Sequence, residues 1–158
     1  MLLGAALYLR TTKFGETDEQ RELRHYVVDE LPVLIAQESA IHHGLDRLDR
    51  EPLTAVAART LLVNQLVPQL LTLQKQAGAI VTRSATLKEL KQEYLRYIDQ
   101  LIDACRTSIR TIDDPSVSPA EGLRRVRSRF YEAGKSSQAW SAHLRQACVP
   151  YRPGPTSR

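Results

Sequence analysis

The chain has 158 residues, enough for one domain with a sizeable core. Hydrophobic content of 42%, charged content of 25% and a formal net charge of +4 exclude an intrinsically disordered chain. Two cysteines with no CxxC pair exclude a disulfide scaffold, and 7 Gly with 8 Pro beside abundant Leu, Ala, Arg and Gln favour helix.

Residues 1–14 read as an apolar N-terminal segment, MLLGAALYL followed by Arg10 and Lys13. Nine apolar residues fall short of the ~20 that span a bilayer. No basic residue precedes the run, as one would in a signal peptide. Three readings stay open. The segment is an extra helical turn, a short hook in a membrane interface, or the tail of a membrane anchor that begins upstream. The chain is accordingly read as membrane-associated or cytoplasmic.

The helical body is expected over 15–149. Thr17 with Gln20 fits a capping box, and Asp18 and Glu19 suit a helix N-terminus. From there Leu23, Val27, Leu31, Leu34, Ile41, Leu45 and Leu48 keep an alternating three-and-four spacing to about Arg50. Pro32 falls inside this helix and predicts a kink, because the apolar stripe continues in phase across it.

A second helix is expected to open at Glu51-Pro52, with a broad apolar face of Leu53, Val56, Leu61, Val63, Leu66, Val67, Leu70, Leu71 and Leu73. Pro68 predicts a second kink. Counted from residue 51, Pro32 is 19 residues back and Pro68 is 17 forward, so the two bends are expected at one height.

Thr86 with Glu89 predicts the start of a third helix, striped by Leu87, Leu90, Tyr94, Tyr97, Leu101 and Cys105 and ended by Asp113-Asp114-Pro115. Ser118-Pro119 with Glu121 predicts the fourth, carrying Leu123, Val126, Phe130, Trp140, Leu144 and Cys148. The small residues around Gly134 suggest that a neighbouring helix approaches closely there. Residues 150–158 read as an extended tail. Four helices on short turns imply an all-α, antiparallel, up-down-up-down four-helix bundle with a kinked first hairpin.

Glu38 is the one stripe position in the first helix filled by a charge. A buried bare carboxylate costs several kcal/mol, so it must be paired, protonated or wetted. Counting rise along the helices puts Asn64 or Gln65 and Arg127 at its level, Tyr97 about a turn away, and His42 one turn on at the flank. Glu38, His42, Asn64, Tyr97 and Arg127 are therefore expected as a polar layer inside the core. The alternative is a small-ligand or metal site on Glu38 and His42, whose i, i+4 spacing suits two ligands. A di-iron centre is excluded. The second helix has no acidic residue between Leu53 and Gly78, the third has no His, and Glu22-x-x-His25 points outward.

Charge is uneven along the chain. Residues 16–51 carry ten acidic and four basic residues, and residues 120–158 carry eight basic and two acidic. Either the first and last helices face each other, or the basic end binds a partner. Arg106, Arg110, Arg124, Arg125 and Arg129 form the candidate surface, for an acidic protein face or anionic lipid. Nucleic acid is a weaker alternative, since no helix-turn-helix, finger or RNP motif accompanies the arginines.

No phosphate loop, nucleophile elbow or zinc motif is present, and neither cysteine has an adjacent base. Neither a cofactor nor a catalytic residue is expected. The sequence points to a non-enzymatic binding module, possible as a homodimer, with a core ligand-binding sensor or carrier as the alternative.

Overall fold

A computed structural model describes residues 17–148. The segment 1–14 with its anchor readings, and the tail 150–158, lie outside the described residues. The fold is all-α, with no strand among the described residues. Helix α1 spans 18–50, α2 spans 55–79, α3 is Ala85–Asp113 and α4 is Pro119–Ala147.

The helix starts follow local chemistry. The Thr17 hydroxyl accepts the Gln20 amide at 3.2 Å, and the Gln20 side chain accepts the Thr17 amide at 2.8 Å, closing the expected box. Ser118 caps α4 through the Glu121 amide, with Pro119 at the first position. Two starts differ from expectation. Thr54 caps α2 and leaves Pro52 in the connection, and Ser84 rather than Thr86 caps α3. In each case the nearer hydroxyl reaches an amide three residues on.

Both internal prolines sit directly after a wide π-helical turn. Tyr26–Glu30 precedes Leu31-Pro32, and Leu62–Leu66 precedes Val67-Pro68. The Leu31 amide donates to the Tyr26 carbonyl, and the Val67 amide to the Leu62 carbonyl, each five residues back. A proline ring clashes with the carbonyl four residues before it and brings no donor. One extra residue in the turn moves that carbonyl aside and lets the helix continue. The added residue also turns the inward face, so Tyr26 and Val27 are buried together.

The two bends do not share a height. Gly44 of α1 lies against Leu66 of α2, and Glu30 lines one cavity with Ile80. Pro68 is thus level with about residue 42, some ten residues, or roughly 15 Å, from Pro32. The connection at 51–54, which places the turn beyond residue 51, accounts for part of this offset.

The core runs through all four helices. Leu31, Ile41, Leu66, Leu73, Leu90 and Ile98 are among its fully buried members. Each such side chain contributes roughly 1.5–3 kcal/mol. The apolar face of α2 is narrower than its sequence implies, because Val56, Val63 and Leu71 are exposed. Gly44 is a contact rather than a surface residue. A Cβ there would lie 2.7 Å from Leu66 Cδ2.

Side chains from other helices answer the exposed poles of the helix ends. The Glu22 carboxylate of α1 accepts the amides of Arg83 and Ser84 at the start of α3. Burial acts to raise the Glu22 pKa, but those amides and the Arg83 charge outweigh it and hold it below the usual value. Lys91 of α3 donates to the Gly78 and Ile80 carbonyls at the end of α2. Arg127 of α4 donates to the Leu48 carbonyl near the end of α1 at 3.3 Å. Anions at helix N-termini and cations at C-termini are the favourable arrangement.

Candidate functional site

Glu38 is 8% exposed and faces the core from α1. Its carboxylate accepts the Tyr94 phenol of α3 at 3.0 Å and lies 3.2 Å from His42 Nε2, one turn along α1. The Tyr94 ring packs against Trp140 of α4, with centroids 4.6 Å apart, and against Tyr97 at 6.2 Å. Trp140 Nε1 is buried without a hydrogen-bond partner. One carboxylate thus ties α1 to α3, and an aromatic stack carries the contact on to α4.

Three phenols surround this charge. Burial first, and then Glu38, raise the pKa of Tyr94 far above its ordinary value. Tyr26 is raised in the same way, with Glu30 adding to the effect. Tyr97 is raised by burial and by Glu38, against a hydrogen bond from Ser137 that lowers it. All three therefore stay neutral well beyond the usual tyrosine range. The pKa of His42 is raised mainly by its hydrogen bond to Glu38, while burial opposes the shift and Asp46 adds to it.

His42 also forms the inner wall of a cleft between α1 and α4, of about 240 Å³. Its floor is apolar, from Leu45, Leu101 and Phe130, and Tyr97 closes the back. Asp46 and Asp49 line the α1 side, and Arg127, Tyr131 and Gly134 the α4 side. Gly134 has open space around it, contrary to the close helix approach expected there. The Glu38–His42 pair connects the buried cluster to this cleft and can hold a proton between them.

Two expected members of the polar layer lie elsewhere. Asn64 is exposed, in the π turn of α2 between the inward Leu62 and Leu66. Arg127 reaches Leu48, ten residues from Glu38 along α1. Both heights were counted on straight helices turning at residue 51, and the π turns and the longer connection move them. The missing partners are Tyr94, Tyr26 and Trp140. A signal for Tyr94 was available, since it lies three residues from Tyr97 on the same stripe.

The arginine surface is partly answered within the helices that carry it. Arg124 and Arg125 both bond to Glu121, each at 2.7 Å. Arg129 donates to the Thr111 hydroxyl at 2.8 Å. Arg106 and Arg110 are exposed. Glu121 is held at about 2 by its hydrogen bonds to Arg124 and Arg125. Several acidic residues at the two ends of α1 are likewise engaged. Glu19 and Glu22 bond at the start of α3, and Glu51 pairs with Arg47.

Among the described residues no three His, Cys, Asp or Glu side chains are grouped so as to hold a metal ion. Cys105 and Cys148 are buried, and burial pushes the Cys105 thiol up to about 12, which leaves it a weak nucleophile. No described helix is long and apolar enough to cross a membrane. Comparison with protein-family models, curated proteins and solved structures found no match.

Proposed function

We propose that the chain is a non-enzymatic, antiparallel, up-down-up-down four-helix bundle that acts by binding a small molecule in the cleft between α1 and α4. The bundle reading is supported by the connections, which are short, and by the crossed helix-end contacts of Glu22, Lys91 and Arg127. The observation that carries the binding reading is the placement of Glu38. A buried carboxylate is costly to keep, and this one sits directly behind His42 on the cleft wall. Pockets of this kind, apolar with a few convergent polar groups, are the usual form of a small-molecule site.

Gly134→Leu tests the reading. An added Cβ meets nothing within 4 Å and Gly134 lines the cleft, so leucine is expected to extend into it while the helix gains propensity. A fragment library screened by ligand-observed NMR is expected to yield hits on the natural chain that disappear on the variant. Hits that persist on Gly134→Leu, or no hits at all, would sink the cleft as the binding site. The exposed Arg106 and Arg110 leave an acidic protein face or anionic lipid as a second partner class, weaker because Arg124 and Arg125 already share Glu121.

A further inference from the structure

The charges lining the cleft are not balanced once their existing partners are counted. Two basic side chains face it, His42 and Arg127. His42 is engaged by Glu38, and Arg127 donates to the Leu48 carbonyl, which orients the guanidinium and leaves its charge in place. Two carboxylates face it as well. Asp46 has a long, exposed contact with Arg50, at 3.8 Å, and acts on His42 one turn back along α1, and Asp49 is exposed. The end of the α1 dipole adds to the negative side.

Three aromatic residues share the remaining surface with the leucines and Gly134. Tyr97 closes the back, Phe130 lies in the floor, and Tyr131 stands at the rim with 72% of its surface exposed. Tyr131 already carries a cation over its ring, the Lys135 ammonium at 5.4 Å from the centroid. Carboxylates beside aromatic faces favour a cation whose body is apolar. A carboxylate ligand would meet Asp46 and Asp49, two negative charges against the one positive charge of Arg127.

From this we infer that the cleft takes a small organic ammonium ion, with its apolar body on Leu45, Leu101 and Phe130 and its charge toward Asp46 and Asp49. The inference rests on the cleft being the binding site. A volume of about 240 Å³ is below the range typical of drug-sized ligands, so the body is no larger than a single ring with a short chain. Gly134 fits this role. It has neither a left-handed backbone nor a packed neighbour to require glycine, and its missing side chain leaves the α4 wall open.

Three probes of one shape and different charge test it: 2-phenylethylamine, 2-phenylethanol and 3-phenylpropanoate. Each is titrated into the full chain at pH 7 while the backbone amide signals of His42 and Gly134 are followed by NMR. The amine is expected to shift both signals and to bind at least about ten-fold more tightly than the alcohol, with the acid weakest. Asp46→Asn with Asp49→Asn is expected to reduce the amine to about the affinity of the alcohol, with helicity unchanged. If the alcohol or the acid shifts these signals as strongly as the amine, the cationic ligand is refuted while the cleft stands. If none of the three shifts them at saturating concentration, the cleft reading falls as well.

Discussion

Two glycines in helix interiors give opposite expectations for the same substitution. Replacing a mid-helix Gly by Ala gains about 1 kcal/mol of helix propensity. At Gly134 nothing lies within 4 Å of the added Cβ, so Gly134→Ala is expected to realise the whole gain. That corresponds to a rise in Tm of roughly 4 °C for a domain of this size. At Gly44 the same methyl would come 2.7 Å from Leu66 Cδ2, inside van der Waals contact. Leu66 is 0% exposed, so its side chain must shift against a packed core to make room. Overpacking a buried site costs about 1–3 kcal/mol. The net for Gly44→Ala is therefore between neutral and about 2 kcal/mol destabilising, and the two variants should differ by roughly 1–3 kcal/mol. Urea unfolding of both, with equal m values, reads this difference directly. Equal stabilisation by the two alanines would refute the close approach of α1 and α2, and with it the offset between the two proline bends.

Other outcomes follow from the Glu38 cluster. Tyr94→Phe removes a buried donor from the carboxylate and should cost about 1–3 kcal/mol by denaturant titration, and an unchanged midpoint would mean that Glu38 does not depend on it. Tyr26, Tyr94 and Tyr97 have raised pKa values in the folded state, so their share of stability is complete below pH ~10. It is lost as pH rises above that, because the unfolded chain releases those protons first. Absorbance at 295 nm should therefore show the three phenols titrating only together with loss of helicity, and independent titration of all tyrosines in the folded chain would contradict the burial. His42 is also raised, so its contribution is complete below pH ~6.5 and declines as pH rises through its folded value. The effect is small, since the side chain is about half exposed, and His42→Gln should flatten that part of the stability–pH curve; a curve unchanged by His42→Gln would dissociate His42 from Glu38.

Much of the helical layout was legible from residue order because the signals are local. A hydroxyl three residues before a free amide, a proline in a first turn and a three-and-four apolar rhythm act within one or two turns of chain. Thr17 and Ser118 cap helices for that reason, and Glu38 stood out as a charge on an apolar stripe. What the stripe could not supply was the level of each residue against its neighbours. That level depends on where each connection turns and on the extra residue inserted before Pro32 and Pro68, and both are decided when the helices pack. A shift of about eight to ten residues in level exchanges Asn64 and Arg127 for Tyr94 and Trp140 as the company of Glu38. The cleft beside His42 belongs to the same category. It is lined by residues of α1, α3 and α4 together, and no one helix contains it.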